Sequence, residues 1–134
     1  MGSKNKLKKF NENLNFQNLF QPSRDDILKS NFKFKGRWND YFENSYPITL
    51  ELGCGKGEYS FELAKKYQNR NFIGIDIKGA RIWTGAKKST NLKMKNICFI
   101  RTNIDLIGNL FSDSEIDEIW ICLLYTSPSP RDTR

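Results

Sequence analysis

From residue 47 onward, short and nearly continuous apolar runs alternate with stretches in which apolar positions recur every three or four residues. "ITLEL" (Ile48 to Leu52), "NFIGID" (Asn71 to Asp76), "NICFIRT" (Asn96 to Thr102) and "IDEIWI" (Ile116 to Ile121) have the length and the β-branched content of buried strands. Between the first two, a helix over Glu58 to Tyr67 sets Ser60, Leu63, Ala64 and Tyr67 on one face at i, i+3, i+4 and i+7. A second helix, from about Ala80 to Asn91, sets Ile82, Gly85, Ala86 and Ser89 inward, and Asp105 to Leu110 reads as a short third helix. Strands alternating with helices at this spacing predict a parallel sheet with right-handed crossovers. Strands apolar along their whole length are what burial on both faces requires. The expected fold class is α/β, doubly wound.

Upstream of residue 47 the rhythm is weaker. Residues 1–21 are polar, rich in Asn and Lys, with Phe10, Phe16 and Phe20 at irregular spacing, which predicts a mostly flexible arm. Trp38, Tyr41 and Phe42 fall at i, i+3 and i+4, so a short amphipathic helix is expected there, stopped before Pro47.

Composition narrows the chemistry. The 134 residues, 38% hydrophobic and 28% charged with a mean hydropathy of −0.63, are enough for one domain and contain no membrane-spanning run. The basic N-terminus has no apolar stretch behind it, so a cytoplasmic protein is expected rather than a secreted one. Cys54, Cys98 and Cys122 are too far apart for a paired metal motif, and no metal is expected. The chain has no histidine, which excludes Ser-His-Asp and Cys-His catalysis and imidazole acid–base chemistry.

Net charge is +7, and residues 1–46 hold nine Lys/Arg against five Asp/Glu. In "NFKFKGRW" (Asn31 to Trp38) the cations interleave with rings. That suits a nucleic-acid surface, where cations meet phosphate and rings stack on bases. A solvated lysine-rich segment gives the same pattern, and charge alone leaves the two readings open.

"ELGCGKGEYS" (Glu51 to Ser60) follows the first strand, where doubly wound sheets bind ligands. A phosphate loop needs GK[ST], but Lys56 is followed by Gly57. The dinucleotide fingerprint needs a sixth-position glycine, and Glu58 stands there. What remains is acid-x-G-x-G-x-G, with Glu51 at the strand end. If that carboxylate faces the ligand, a pyrophosphate oxygen roughly 5 Å away costs about 3 kcal/mol at an effective dielectric near 20. A cationic, phosphate-free ligand is favoured instead, and S-adenosyl-L-methionine, with a sulfonium and an ammonium, meets that description. Asp76 ends the second strand nineteen residues after Gly57, where a partner for ribose hydroxyls belongs. Asn103, after the third strand, can accept from the adenine amino group, cap the following helix, or do both. Cys54 reads as a small residue in a tight turn.

"LELGCGKGEYS", "FIGIDIKGARIW", "NICFIRTNI" and "DEIWI" together resemble the bacterial tRNA (guanine-N7-)-methyltransferases of the TrmB family, over roughly Phe32 to Ile121. The resemblance implies a Rossmann-like class I S-adenosylmethionine-dependent methyltransferase. It implies cofactor contacts from Glu51, the backbone of Gly53, Gly55 and Gly57, Asp76 and Asn103, although many members carry Asp where this chain has Asn103. It further implies methyl transfer to N7 of a guanine in the tRNA variable loop, with Lys4, Lys6, Lys8, Lys9, Lys33, Lys35 and Arg37 as candidates against tRNA phosphates. Two alternatives stand beside it: another class I methyltransferase, or a non-catalytic module binding S-adenosylmethionine or RNA.

After "DEIWI" the family continues with a Phe-Pro-Asp-Pro type motif whose Asp lies at the methyl-transfer site. This chain reads "CLLYTSPSPRDTR" instead, so no catalytic residue is assigned. The tail also resembles, residue for residue, the translation of a transposon-type sequencing adapter. The expected organisation is a basic arm and short helix over residues 1–46, the cofactor-binding half of the domain over 47–121, and a non-native or divergent tail over 122–134. A fold truncated after its fourth predicted strand would leave that strand as an apolar edge and the fragment inactive.

Overall fold

The computed structural model describes residues 3–13 and 15–121; the tail from residue 122 lies outside the described residues. The chain runs α1 (Ser3–Asn13), β1 (Leu19–Phe20), α2 (Arg24–Ser30), α3 (Trp38–Phe42), β2 (Ile48–Leu52), α4 (Glu58–Lys66), β3 (Asn71–Asp76), α5 (Gly79–Asn91), β4 (Ile97–Arg101), a 3-10 turn (Ile104–Leu106), α6 (Ile107–Leu110) and β5 (Glu118–Ile121). The five strands are ordered β1-β4-β3-β2-β5, and every pairing is parallel. The α/β expectation holds, with one strand more than the apolar runs indicated.

β2 and β3 sit at the centre and are buried along their whole length, which is why they read as unbroken apolar runs. Alternation along each strand divides the interior in two. Ile48, Leu50, Leu52, Ile73, Ile75, Cys98 and Ile100 face α2, α3 and α6, whereas Phe72, Ile97 and Phe99 face α4 and α5. α5 presents Ile82, Gly85, Ala86 and Ser89 inward, as its spacing indicated. In α4 the inward stripe is Ser60, Phe61 and Ala64, and Tyr67 stays 40% exposed. The stripe is displaced because Phe61 is the residue that reaches the cluster around Phe72 and Phe99.

The N-terminal segment departs from the flexible arm expected of it. α1 lies on α5, where Trp83 Nε1 donates to Glu12 Oε1 at 2.6 Å and Asn13 Nδ2 donates to Gly79 O at 3.0 Å. Leu19 and Phe20 then pair with Phe99 and Ile100 of β4 and extend the sheet. Leu19 joins one core and Phe20 packs on the other, the alternation of a strand compressed into two residues.

A second departure concerns "NFKFKGRW". Trp38 is fully buried, Phe32 is 8% exposed, and Phe34 packs partly buried against the same core. Phe20, Phe32, Phe34, Tyr41 and Trp38 touch in edge-to-face, tilted or stacked pairs, with centroids 5.3–6.1 Å apart. Phe32 and Trp38 are core and closed to base stacking, while Phe20, Phe34 and Tyr41 are partly buried against them. Glu115 fixes the loop above them by accepting from the amides of Gly36 at 2.8 Å and Trp38 at 3.1 Å.

β5 forms one edge of the sheet, pairing with β2 alone among the described strands. Ile119, Trp120 and Ile121 are 54%, 44% and 65% exposed there, the apolar edge that the sequence implied. Among the described residues, no helix is long and apolar enough to cross a membrane.

Candidate functional site

The glycine turn is built from the ends of β2 and β3. Gly53 N and Cys54 N both donate to Ile75 O, at 2.8 and 2.9 Å, so the chain bends sharply where β2 stops. Gly57 N then donates to Cys54 O at 2.8 Å, and Gly57 O receives Phe61 N at 2.9 Å as α4 begins. Gly53, Gly55 and Gly57 have φ of 71°, 58° and 73°, a region costly for other residues. At Gly57 packing adds to this, because a Cβ would stand 2.6 Å from the Phe99 ring. Gly74 and Gly85 flank the same ring, at 2.9 and 2.7 Å for a notional Cβ, so Phe99 fills the hollow these three glycines leave. Cys54 is buried in the turn as a small residue.

Asp76, at the end of β3, locks the turn from the other side. Its Oδ2 accepts from Gly55 N at 2.8 Å and its Oδ1 from Lys78 N at 2.9 Å, with Arg81 Nη2 at 3.5 Å. The side chain is 4% exposed, yet its charge is met by two amides and a guanidinium. Thr102 N donates to Asp76 O at 3.0 Å and so brings the end of β4 alongside.

Gly53, Asp76, Lys78, Arg81, Thr102, Asn103 and Asp105 are among the residues lining one cavity of about 520 Å³, at the carboxyl ends of β2, β3 and β4. That volume lies within the roughly 300–1,000 Å³ of small-molecule sites. Asn103 is exposed and stands just before the 3-10 turn without making a side-chain capping bond, which leaves its amide uncommitted to the turn.

Three of the residues singled out in the sequence, Gly53, Asp76 and Asn103, therefore share one cavity wall, and Gly55 is tied directly to Asp76. Glu51 is set differently. It is 3% exposed and accepts from Ser60 Oγ at 2.6 Å instead of lining the cavity. Burial pushes its carboxyl above the usual range, the Ser60 bond opposes this, and the charge of Asp76 adds to it.

Lys33, Lys35 and Arg37 do not line the cavity; they lie in the loop that packs over the α2/α3/α6 face of the sheet. Lys33 Nζ lies 5.4 Å from the ring centres of Phe20 and Phe34, and Arg37 pairs with Asp40 at 3.1 Å. Lys78 and Arg81 were not singled out in the sequence but belong to the cavity wall. A signal for them existed: two and five residues beyond Asp76, they fall at the entry and first turn of α5, beside the carboxylate.

Residues 45–133 match the family model described as "Putative methyltransferase". A tRNA (guanine-N(7)-)-methyltransferase of Christiangramia forsetii is 53% identical over 132 residues, which is 98% of this chain and 57% of that relative. The protein of the same name in Bacteroides fragilis is 44% identical over 119 residues, 88% of this chain and 47% of the relative. The chain thus spans about half the length of the curated relatives it matches. The solved structure of an antibiotic-related methyltransferase superposes with a TM-score of 0.52 at 21% identity, covering 64% of this chain and 44% of that one. At that identity the likeness is one of fold.

Proposed function

The chain belongs to this methyltransferase family, and we propose that the protein moves a methyl group from S-adenosyl-L-methionine to N7 of a variable-loop guanine in tRNA, in the cytoplasm. The observation that carries the tRNA reading is the 53% identity to a relative of that name across nearly the whole chain. The cofactor reading draws on the cavity.

The residues present fit an adenosyl group. A carboxylate offers about four acceptor positions, and Asp76 commits two to backbone amides and a third to the longer Arg81 contact. A ribose diol displacing Arg81 would find acceptors there. Asn103, free of capping, offers an amide oxygen to the adenine amino group. Gly53 and Gly55 keep side chains from between the turn and a ligand. Glu51 enters as a buried carboxylate beneath the turn, acting by charge on the cationic end and by its Ser60 bond on the start of α4.

The bound cofactor supplies an electrophilic methyl group on a sulfonium. Guanine N7 already carries an in-plane lone pair, so no base has to remove a proton first. What the chain must then provide is alignment and a matched electrostatic setting. This is consistent with a chain that contains no histidine.

Calorimetry on the full chain tests the cofactor reading. S-adenosyl-L-methionine is expected to bind and NAD is not. Asp76→Asn, by weakening a charged hydrogen-bond partner worth about 1.5–3 kcal/mol, should lower cofactor affinity about 10- to 100-fold. Retention of NAD with no response to S-adenosyl-L-methionine overturns it. Tritium transfer to N7 of unmodified tRNA by the uninterrupted gene product tests the substrate.

A further inference from the structure

The chain's positive charge is divided unevenly by the sheet. α1, α4 and α5, which cover one face, hold nine Lys/Arg against three Asp/Glu. Segments 24–43 and 104–117, which cover the other, hold five against eight. The loop bearing Lys33, Lys35 and Arg37 therefore lies on the acidic side of the molecule.

On the basic side the cations are arranged in order. Lys6 and Lys8 are exposed and join no ion pair among the described residues. Lys9 and Lys87 each lie 4.8 Å from the ring centre of Trp83, and Lys88 lies 4.5 Å from that of Phe61. Of these five lysines, Lys87 alone approaches a carboxylate among the described residues, Glu12 at 3.9 Å. The ridge also reaches the cavity, because Asn13 at the end of α1 binds Gly79 O, and Gly79 follows the wall residue Lys78.

We propose that the α1/α5 ridge, rather than the Lys33–Arg37 loop, is the surface that takes the phosphate backbone of the RNA. The proposal rests on the tRNA reading above and names the face that serves it. A polyanion lying along this ridge would meet several lysines on one rigid layer and be led toward the cavity. On the opposite face it would meet Asp40, paired with Arg37, and Glu115, bonded to the amides of Gly36 and Trp38.

The test is tRNA binding by the full chain across a salt series. Each lysine lost from a phosphate contact should reduce the salt slope by about 1. Lys6→Ala with Lys8→Ala is expected to flatten the slope by about 2 and weaken binding roughly tenfold or more at low salt. The pair Lys33→Ala with Lys35→Ala should produce the smaller loss. Calorimetric affinity for S-adenosyl-L-methionine, unchanged in both pairs, verifies that each variant is folded. Equal losses, or the larger loss at Lys33 and Lys35, overturn the face assignment while leaving the tRNA reading standing. A wild-type chain that ignores tRNA at every salt concentration overturns the tRNA reading itself, and the assignment with it.

Discussion

The two layers that enclose the sheet reach burial by opposite means. On the α2/α3/α6 side, large rings fill the space: Phe20, Phe32, Phe34, Trp38, Tyr41, Phe42 and Phe111 form one connected cluster. On the α4/α5 side the buried rings are fewer, Phe61, Phe72 and Phe99, and three glycines, Gly57, Gly74 and Gly85, close around Phe99 while Ala64 and Ala86 join the same core. None of these rings lines the cavity. Small residues let helices approach the strands closely and set the turn and Asp76 in one arrangement. Stability and site geometry should therefore respond differently to damage in the two layers.

The sharpest separation is expected at Trp38. It is fully buried, touches at least five rings, and donates from Nε1 to Leu110 O at 2.9 Å. Trp38→Ala should cost about 3–5 kcal/mol in urea unfolding. Among the molecules that remain folded, affinity for S-adenosyl-L-methionine should not move, because the ring cluster does not line the cavity. A matching loss of affinity in folded molecules would show that the layers are not independent.

Gly57→Ala is the complementary experiment, with a smaller effect on stability and a larger one on the site. The new methyl meets Phe99 at 2.6 Å on a backbone at φ 73°. Overpacking and left-handed strain together should cost about 2–3 kcal/mol. Here cofactor affinity should fall along with stability, since the turn must shift to relieve the contact. Adding Phe99→Leu removes the clashing edge of the ring, so the double variant should lose less than the two single changes combined. Strict additivity would mean that Phe99 is not what holds Gly57 to glycine.

The same contrast explains which parts are readable in the sequence. β2 to β4 are legible because strands buried on both faces leave continuous apolar runs, β5 because its run is apolar even though it is exposed at the edge, and α5 because its four inward residues keep helical spacing. β1 is not, since two residues cannot display a period. Its pairing also relies on backbone bonds that the sequence does not encode, such as Phe99 N to Asn18 O at 2.8 Å. The glycines are legible as a turn, but the reason for Gly57 is not. The ring that demands it lies 42 positions along the chain. Asp76 is legible as a strand-end carboxylate, whereas its bonds to Gly55 and Lys78 depend on how β2 and β3 meet. The cations of "NFKFKGRW" suit a nucleic-acid surface on the page, but interleaved rings look the same whether they face solvent or core.

The smallest expected effect isolates the acid buried beneath the glycine turn. Glu51 is held above the ordinary carboxylate range mainly by burial. A raised folded pKa means that the protonated form is the one the fold favours. Its contribution is complete below the ordinary glutamate range and is lost as pH rises from there through the raised value. Glu51→Gln removes that titration and keeps an oxygen to accept from Ser60 Oγ, so unfolding free energy measured across mildly acidic to neutral pH should slope less steeply downward than in the wild type. Comparing slopes, not absolute stabilities, cancels whatever constant cost the new amide brings. Asp76→Asn provides the cross-check, because the charge of Asp76 is among the causes raising Glu51. In that background the Glu51 titration should begin at lower pH, and the change of slope produced by Glu51→Gln should shrink. If Glu51→Gln leaves the slope unaltered in both backgrounds, Glu51 titrates as an ordinary carboxylate. The turn would then contain no strained charge for a cationic ligand to relieve.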